Sequence, residues 1–233
     1  MTPSPTHALR ERATSPMPER RGFKFATAAA AAVLIVLLAL LAPMALAEEL
    51  APDALIKSLT ADVTAAIRQD PAIRAGNARR LSELVEAKIV PHFDFNRAVQ
   101  IAMGRNWRRA TPEQQEELTR QFKTLVLRTY SGALAAYRDQ AIAFGPLRAH
   151  PGDSEVTVRS EIDQPASEPL AIEYDMEKTG ADWKVYDIRV SGISLVATYR
   201  NTFSEEVRNH GIEGLIQGLA TKNRQAITAE KQT

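Results

Sequence analysis

The spacing of apolar positions changes period twice along this chain. Between 52 and 137 they recur every three or four residues, the period of helices with one buried stripe. Ile56, Leu59, Val63 and Ile67 predict a helix over 52–69, stopped at Asp70-Pro71. Leu81, Leu84, Val85 and Ile89 predict a second over 78–90, ended by Pro91. A short third spans 96–103 and ends at Gly104. Thr111-Pro112-Glu113-Gln114 is a capping box with proline in the first turn, and it opens a long helix. That helix carries Leu118, Phe122, Leu125, Val126, Thr129, Tyr130, Ala133, Leu134 and Tyr137 on one stripe.

From Gln140 the period becomes two. Ile142 and Phe144 begin a strand that Gly145-Pro146 interrupts. Val156, Val158, Ser160 and Ile162 alternate with charged or polar residues, and so do Leu170, Ile172, Tyr174 and Met176. Tyr186, Ile188 and Val190 fall on one face of the next strand, with Asp187 and Arg189 between them. At Ser191-Gly192 the helical period returns, through Val196, Tyr199, Phe203 and Val207. A strand therefore feeds a helix through one glycine, closing a corner with one sheet wall and one helix wall. Gly211 and Gly214 punctuate a last helix from Ile212 to about Thr228. The order is helices, a meander of about four strands, then helices. That order predicts an α+β fold, a curved antiparallel sheet covered on one face by several helices, an NTF2-like cone.

The first residues stand apart. Arg20, Arg21 and Lys24 precede an apolar run from Ala26 to Leu41, and Ala45-Leu-Ala47 ends in a small-x-small signature before Glu48. This predicts a signal peptide over 1–47, cleaved after Ala47, and a single domain over 48–233. Residues 1–16 can lie upstream of a start at Met17. The leader leaves the general secretory and twin-arginine routes both open.

Composition narrows the chemistry. There is no cysteine among 233 residues, so no disulfide framework or thiol nucleophile. Lys plus Arg is 29 against 28 for Asp plus Glu, with no basic block, so nucleic acid is not an expected partner. The histidines His7, His92, His150 and His210 have no metal-ligand spacing. His210, beside Gly211, reads as a helix-end partner. No nucleophile elbow or phosphate loop is present. What remains is apolar convergence. A sheet face (Val158, Ile172, Tyr174, Ile188, Val190) opposes helix stripes (Val99, Met103, Phe122, Val126, Tyr130, Val196, Tyr199). Pattern alone leaves two outcomes open, a filled core or an apolar cavity walled by these side chains.

Several blocks go further. Pro91-His-Phe-Asp-Phe95, Met103-Gly-Arg-Asn-Trp107, Ala110-Thr-Pro-Glu-Gln114 and Tyr130-Ser-Gly-Ala-Leu134 come in order. Trp183-Lys-Val-Tyr-Asp187, Gly192-Ile-Ser-Leu-Val196, Tyr199-Arg200, Phe203 and Gly211-Ile-Glu-Gly-Leu215 follow. Together they resemble the MlaC family of periplasmic phospholipid-binding proteins, also called the toluene-tolerance auxiliary family. His92 and Phe93 depart from its usual start of that block. The resemblance implies a non-enzymatic shuttle with no cofactor. Its cargo is phospholipid, with tails in the sheet–helix cavity. Its partners are an inner-membrane ABC transporter complex with an MCE-domain ring and an outer-membrane lipoprotein complex, and its role is outer-membrane lipid asymmetry. Two other readings stay open: a small enzyme on the same cone using His92 or Asp94, and a periplasmic adapter or chaperone.

Overall fold

In a computed structural model, residues 50–135, 139–150, 152–164 and 167–230 are described. The leader and Tyr137, the last ring of the long stripe, lie outside them. Helix α1 (Pro52–Gln69) starts on a proline and stops at Asp70, whose carboxylate accepts from Ala72 N and Ile73 N to cap the single turn α2 (Pro71–Arg74). Asn77 caps α3 (Ala78–Lys88) by accepting from Arg80 N at 3.0 Å. A 3-10 turn (Val90–His92) leads to α4 (Phe95–Met103), which Asp94 caps by accepting from Arg97 N. One oxygen of the Asp94 carboxylate is thus taken by the backbone. A second 3-10 turn (Gly104–Arg109) precedes α5 (Pro112–Ala135). The capping box forms reciprocally there: Gln114 N donates to Thr111 Oγ1 at 3.3 Å, and Thr111 N donates to Gln114 Oε1 at 3.2 Å.

The sheet has five strands in sequential order, all neighbours antiparallel: β1 (Ile142–Phe144), β2 (Glu155–Ile162), β3 (Leu170–Thr179), β4 (Asp182–Val190) and β5 (Ile193–Ser194). The fifth strand corrects the expected direct passage from strand to helix. Ser191 and Gly192 both take positive φ, 49° and 78°, so the chain makes a tight hairpin before turning. Helix α6 (Tyr199–Glu230) begins only afterwards, so Val196 lies in the turn and not on the helix.

A second correction concerns β4. The register slips between Asp175 and Met176, pairing Asp187 with Asp175 but Val185 with Met176. Tyr186 is the extra residue of this bulge, so it leaves the face that Ile188 and Val190 share. Its ring instead lies under the Arg97 guanidinium, 4.4 Å away.

Inside α6, Gly211 sits at φ 72° and ψ 178°, a backbone that only glycine holds cheaply, and splits the helix in two. Gly214 is required for a different reason: a Cβ there would stand 2.3 Å from His210 Cβ. His210 itself pairs with Glu206 at 2.8 Å near the end of the first half. The far half is pinned to α5 by Asn223, whose Nδ2 donates to Gln121 Oε1 at 2.7 Å.

Candidate functional site: the inner face of the sheet

Buried apolar residues form three separate clusters rather than one. The first joins α4, α5 and α6 around Phe122 and Phe203. The second joins the sheet to α1 through Ile56. The third holds α1, α2 and α3 together. The sheet is approached by α1 over β2 and by α4 over β4, while α5 and α6 pack chiefly on each other and on α4. Each cluster ends in side chains that are only part-buried: Val126 and Tyr199 in the first, Tyr174 and Ile188 in the second, Leu127 and Leu134 in the third. Tyr130, Ile172 and Val190 belong to none of them.

Register orders the inner face into rows. Val156, Met176 and Val185 form a closed row, the latter two 0% exposed. Val158, Tyr174 and Ile188 form the next, with the last two part-buried. Phe144, Ser160, Ile172, Val190 and Ile193 form a third, and Ile193 at its end is 62% exposed. Ile142, Ile162 and Leu170 form the last, all part-buried. The face is therefore sealed at the α4 end and opens progressively, apolar but for Ser160 and the Tyr174 phenol, toward the β4–β5 hairpin. An apolar face left part-open gains about 25 cal/mol per Å² when hydrocarbon covers it.

Polar groups border this seam at two places. Burial first, and the Tyr199 phenol next, push the Tyr130 phenol up to about 12. Tyr174 is shifted the same way by burial, although its ring keeps accessible surface. Both residues are part-buried. Asp187 is buried and paired, accepting from the Ser194 hydroxyl and from Val196 N at 3.3 Å, and it fixes the corner into α6. Burial raises its carboxyl above the ordinary 3.8, against the lowering effect of Ser194. The folded protein then binds a proton more readily than the unfolded chain, so this contribution is complete below the ordinary value and is lost as pH rises through the raised one. Asp187→Asn should accordingly gain on the parent as pH rises from about 4 toward neutral, in urea midpoints measured across that range.

The sequence-nominated wall residues divide. Val99, Met103, Phe122 and Val158 are at most 1% exposed and fill the cores, and Val196 and Ile172 are buried too. Val126, Tyr130, Tyr174, Ile188, Val190 and Tyr199 keep accessible surface. Phe122 meets Tyr199 and Phe203 edge-on, with centroids 5.2 and 5.6 Å apart, which is core packing. Sequence reasoning passed over Ile142, Phe144, Ile162, Leu170 and Ile193. The two-residue period placed most of them on the right face, but nothing in it marks where the helical cover stops.

The outer face is charged and cross-linked. Arg189 bridges Glu173 and Asp175, and Arg159 pairs with Glu173 at 2.9 Å. A depression of about 310 Å³ is bordered by Arg148, Glu155, Thr157, Arg159 and Tyr186. A second, of about 290 Å³, is bordered by residues of both faces, Phe144, Ser160 and Ile172 beside Arg159, Glu161 and Glu173. No cluster of metal-ligating residues occurs among the described residues, and no helix among them is long and apolar enough to cross a membrane. Burial lowers the His92 pKa, and its neighbour Lys184 lowers it further.

Comparison with known proteins fixes the relationship. The family model described as MlaC protein matches residues 57–221, most of the chain. The chain belongs to the MlaC family. Toluene tolerance protein ttg2D of Pseudomonas putida is 29% identical over 115 residues, 48% of this chain and 53% of that protein, so this chain spans about half the length of that relative. The intermembrane phospholipid transport system binding protein MlaC of Haemophilus influenzae is 23% identical over 164 residues, covering 69% and 73%. A solved structure of the phospholipid-binding protein of Ralstonia solanacearum, in complex with a phospholipid, superposes with a TM-score of 0.69 at 45% identity. It covers 75% of this chain and 98% of that one. The Haemophilus influenzae and Ralstonia solanacearum relatives are binding proteins.

Proposed function

We propose that this MlaC-family chain binds phospholipid and carries it across the periplasm between the two membranes. It would be the binding component of an ABC transport system, receiving or delivering lipid at an MCE-domain transporter and at an outer-membrane lipoprotein complex, and so maintaining lipid asymmetry. The supporting observation is the inner sheet face, apolar but for Ser160 and the Tyr174 phenol and sealed at one end, in a fold shared with a phospholipid-bound relative. Acyl chains laid on that face would part the three cores along their part-buried margins. Two tails of about sixteen carbons gain on the order of 20 kcal/mol gross at about 0.8 kcal/mol per methylene, before losses of freedom. That term is blind to the headgroup, so selectivity among headgroups is expected to be weak.

Organic extraction of the exported protein, purified without detergent, should release phospholipid detectable by mass spectrometry. Its intact mass should place the first residue at Glu48. Repeated empty extracts from folded protein would end the carrier reading.

A further inference from the structure

The inner rows contain one buried polar side chain with no partner. Ser160 is 2% exposed, and its hydroxyl makes no hydrogen bond. It stands in the third row between Phe144 and Ile172, where every other residue is apolar. Its diagonal neighbour on the same face is Tyr174, whose phenol feels the Ser160 hydroxyl without the two meeting hydrogen-bond geometry. A buried hydroxyl left unmatched opposes folding, and an alanine of nearly the same size would not. Apart from the Tyr174 phenol, which Ser160 approaches outside hydrogen-bond geometry, the packing of the empty protein gives no reason for a serine here. A ligand that brings an acceptor does.

Position says which acceptor. Ser160 lies two residues in from Ile162, the end of β2 at the open side, a depth of roughly 7 Å along the strand. Hydrocarbon has no acceptor, and a phosphate at this depth would be desolvated among Phe144, Ile172 and Val190. The groups of a phospholipid that are polar, uncharged and next to the tails are its glycerol ester carbonyls. We infer that the Ser160 hydroxyl is the donor to an acyl-ester carbonyl, so that this protein distinguishes diester from diether lipids while tolerating many headgroups. The hydroxyl is covered in the empty protein. Phe144, its cross-strand partner on the three-residue edge strand β1, is the side chain placed to move aside. The inference rests on the phospholipid-carrier reading above.

The test compares the full exported chain with Ser160→Ala, each delipidated and reloaded from equal mixtures of diester phosphatidylglycerol and its diether analogue of the same chain length. The parent should retain the diester about fivefold to tenfold over the diether, and Ser160→Ala should retain the two within about twofold. Thermal unfolding of the empty variant should be unchanged or raised. Equal retention by the parent, or an undiminished preference in Ser160→Ala, overturns the inference while leaving lipid carriage intact. Failure of the parent to take up either lipid overturns both.

Discussion

Val190→Glu, purified without detergent, is expected to hold less than roughly a tenth of the parent's phospholipid and still to unfold within about 3 °C of it. Val190 is part-buried, lies on the inner face beside Ile172 and Ile193, and packs into none of the three cores. In the empty protein a carboxylate there stays hydrated, as a substitution outside the cores does with little effect on stability. When acyl chains cover the face, the same carboxylate must lose its water with no cation to meet it. That loss runs to several kcal/mol, and each 1.4 kcal/mol is about tenfold in retention. Quantitative lipid extraction beside a melting curve checks both halves. Parent-like occupancy in the folded variant would remove this face from the lipid path. Tyr130→Gln should lower occupancy in the same direction, more weakly, since it adds polarity without charge.

The α+β order, the antiparallel meander and nearly every helix start were legible because each has a local cause. Asp70, Asn77, Asp94 and the Thr111–Gln114 box act within a few residues of themselves. The corner was not legible in the same way. A bulge leaves the apolar count of a strand unchanged and shifts which residues face inward, so Tyr186 read as sharing a face with Ile188 and Val190 and does not. The burial of Asp187 was not legible, because its partners, Ser194 and Val196, come from a hairpin that only the three-dimensional turn reveals. The candidate site was legible as a population of apolar residues and not as a division of them into sealed and part-open ones. Phe122 and Tyr130 sit two helical turns apart on one stripe, yet the first is sealed and the second keeps accessible surface. Phe122 is sealed by Phe203 and Tyr199 of α6, while Tyr130 lies beside the Tyr199 phenol at the edge of that cover, and no spacing within α5 encodes that.

Phe122→Ala should therefore fail differently from Val190→Glu. Phe122 is 0% exposed and touches Tyr199 and Phe203 through edge-on rings. Truncating it removes the ring's burial and leaves a void that helices held by Leu118, Val207 and Leu219 cannot close, a loss of about 3–5 kcal/mol. For a domain of this size that is roughly 10 °C in the unfolding midpoint. Bound lipid stabilises the folded state by mass action, so the comparison has to be made on delipidated protein. Phe122→Leu, which keeps most of the volume, should cost less than about 1.5 kcal/mol. The fraction of Phe122→Ala that remains folded at low temperature should still take up phospholipid at the parent's stoichiometry, because no wall of the open face has changed. If it loads poorly while fully folded, Phe122 belongs to the lipid path after all, and the boundary drawn here between sealed core and open seam lies too close to the sheet.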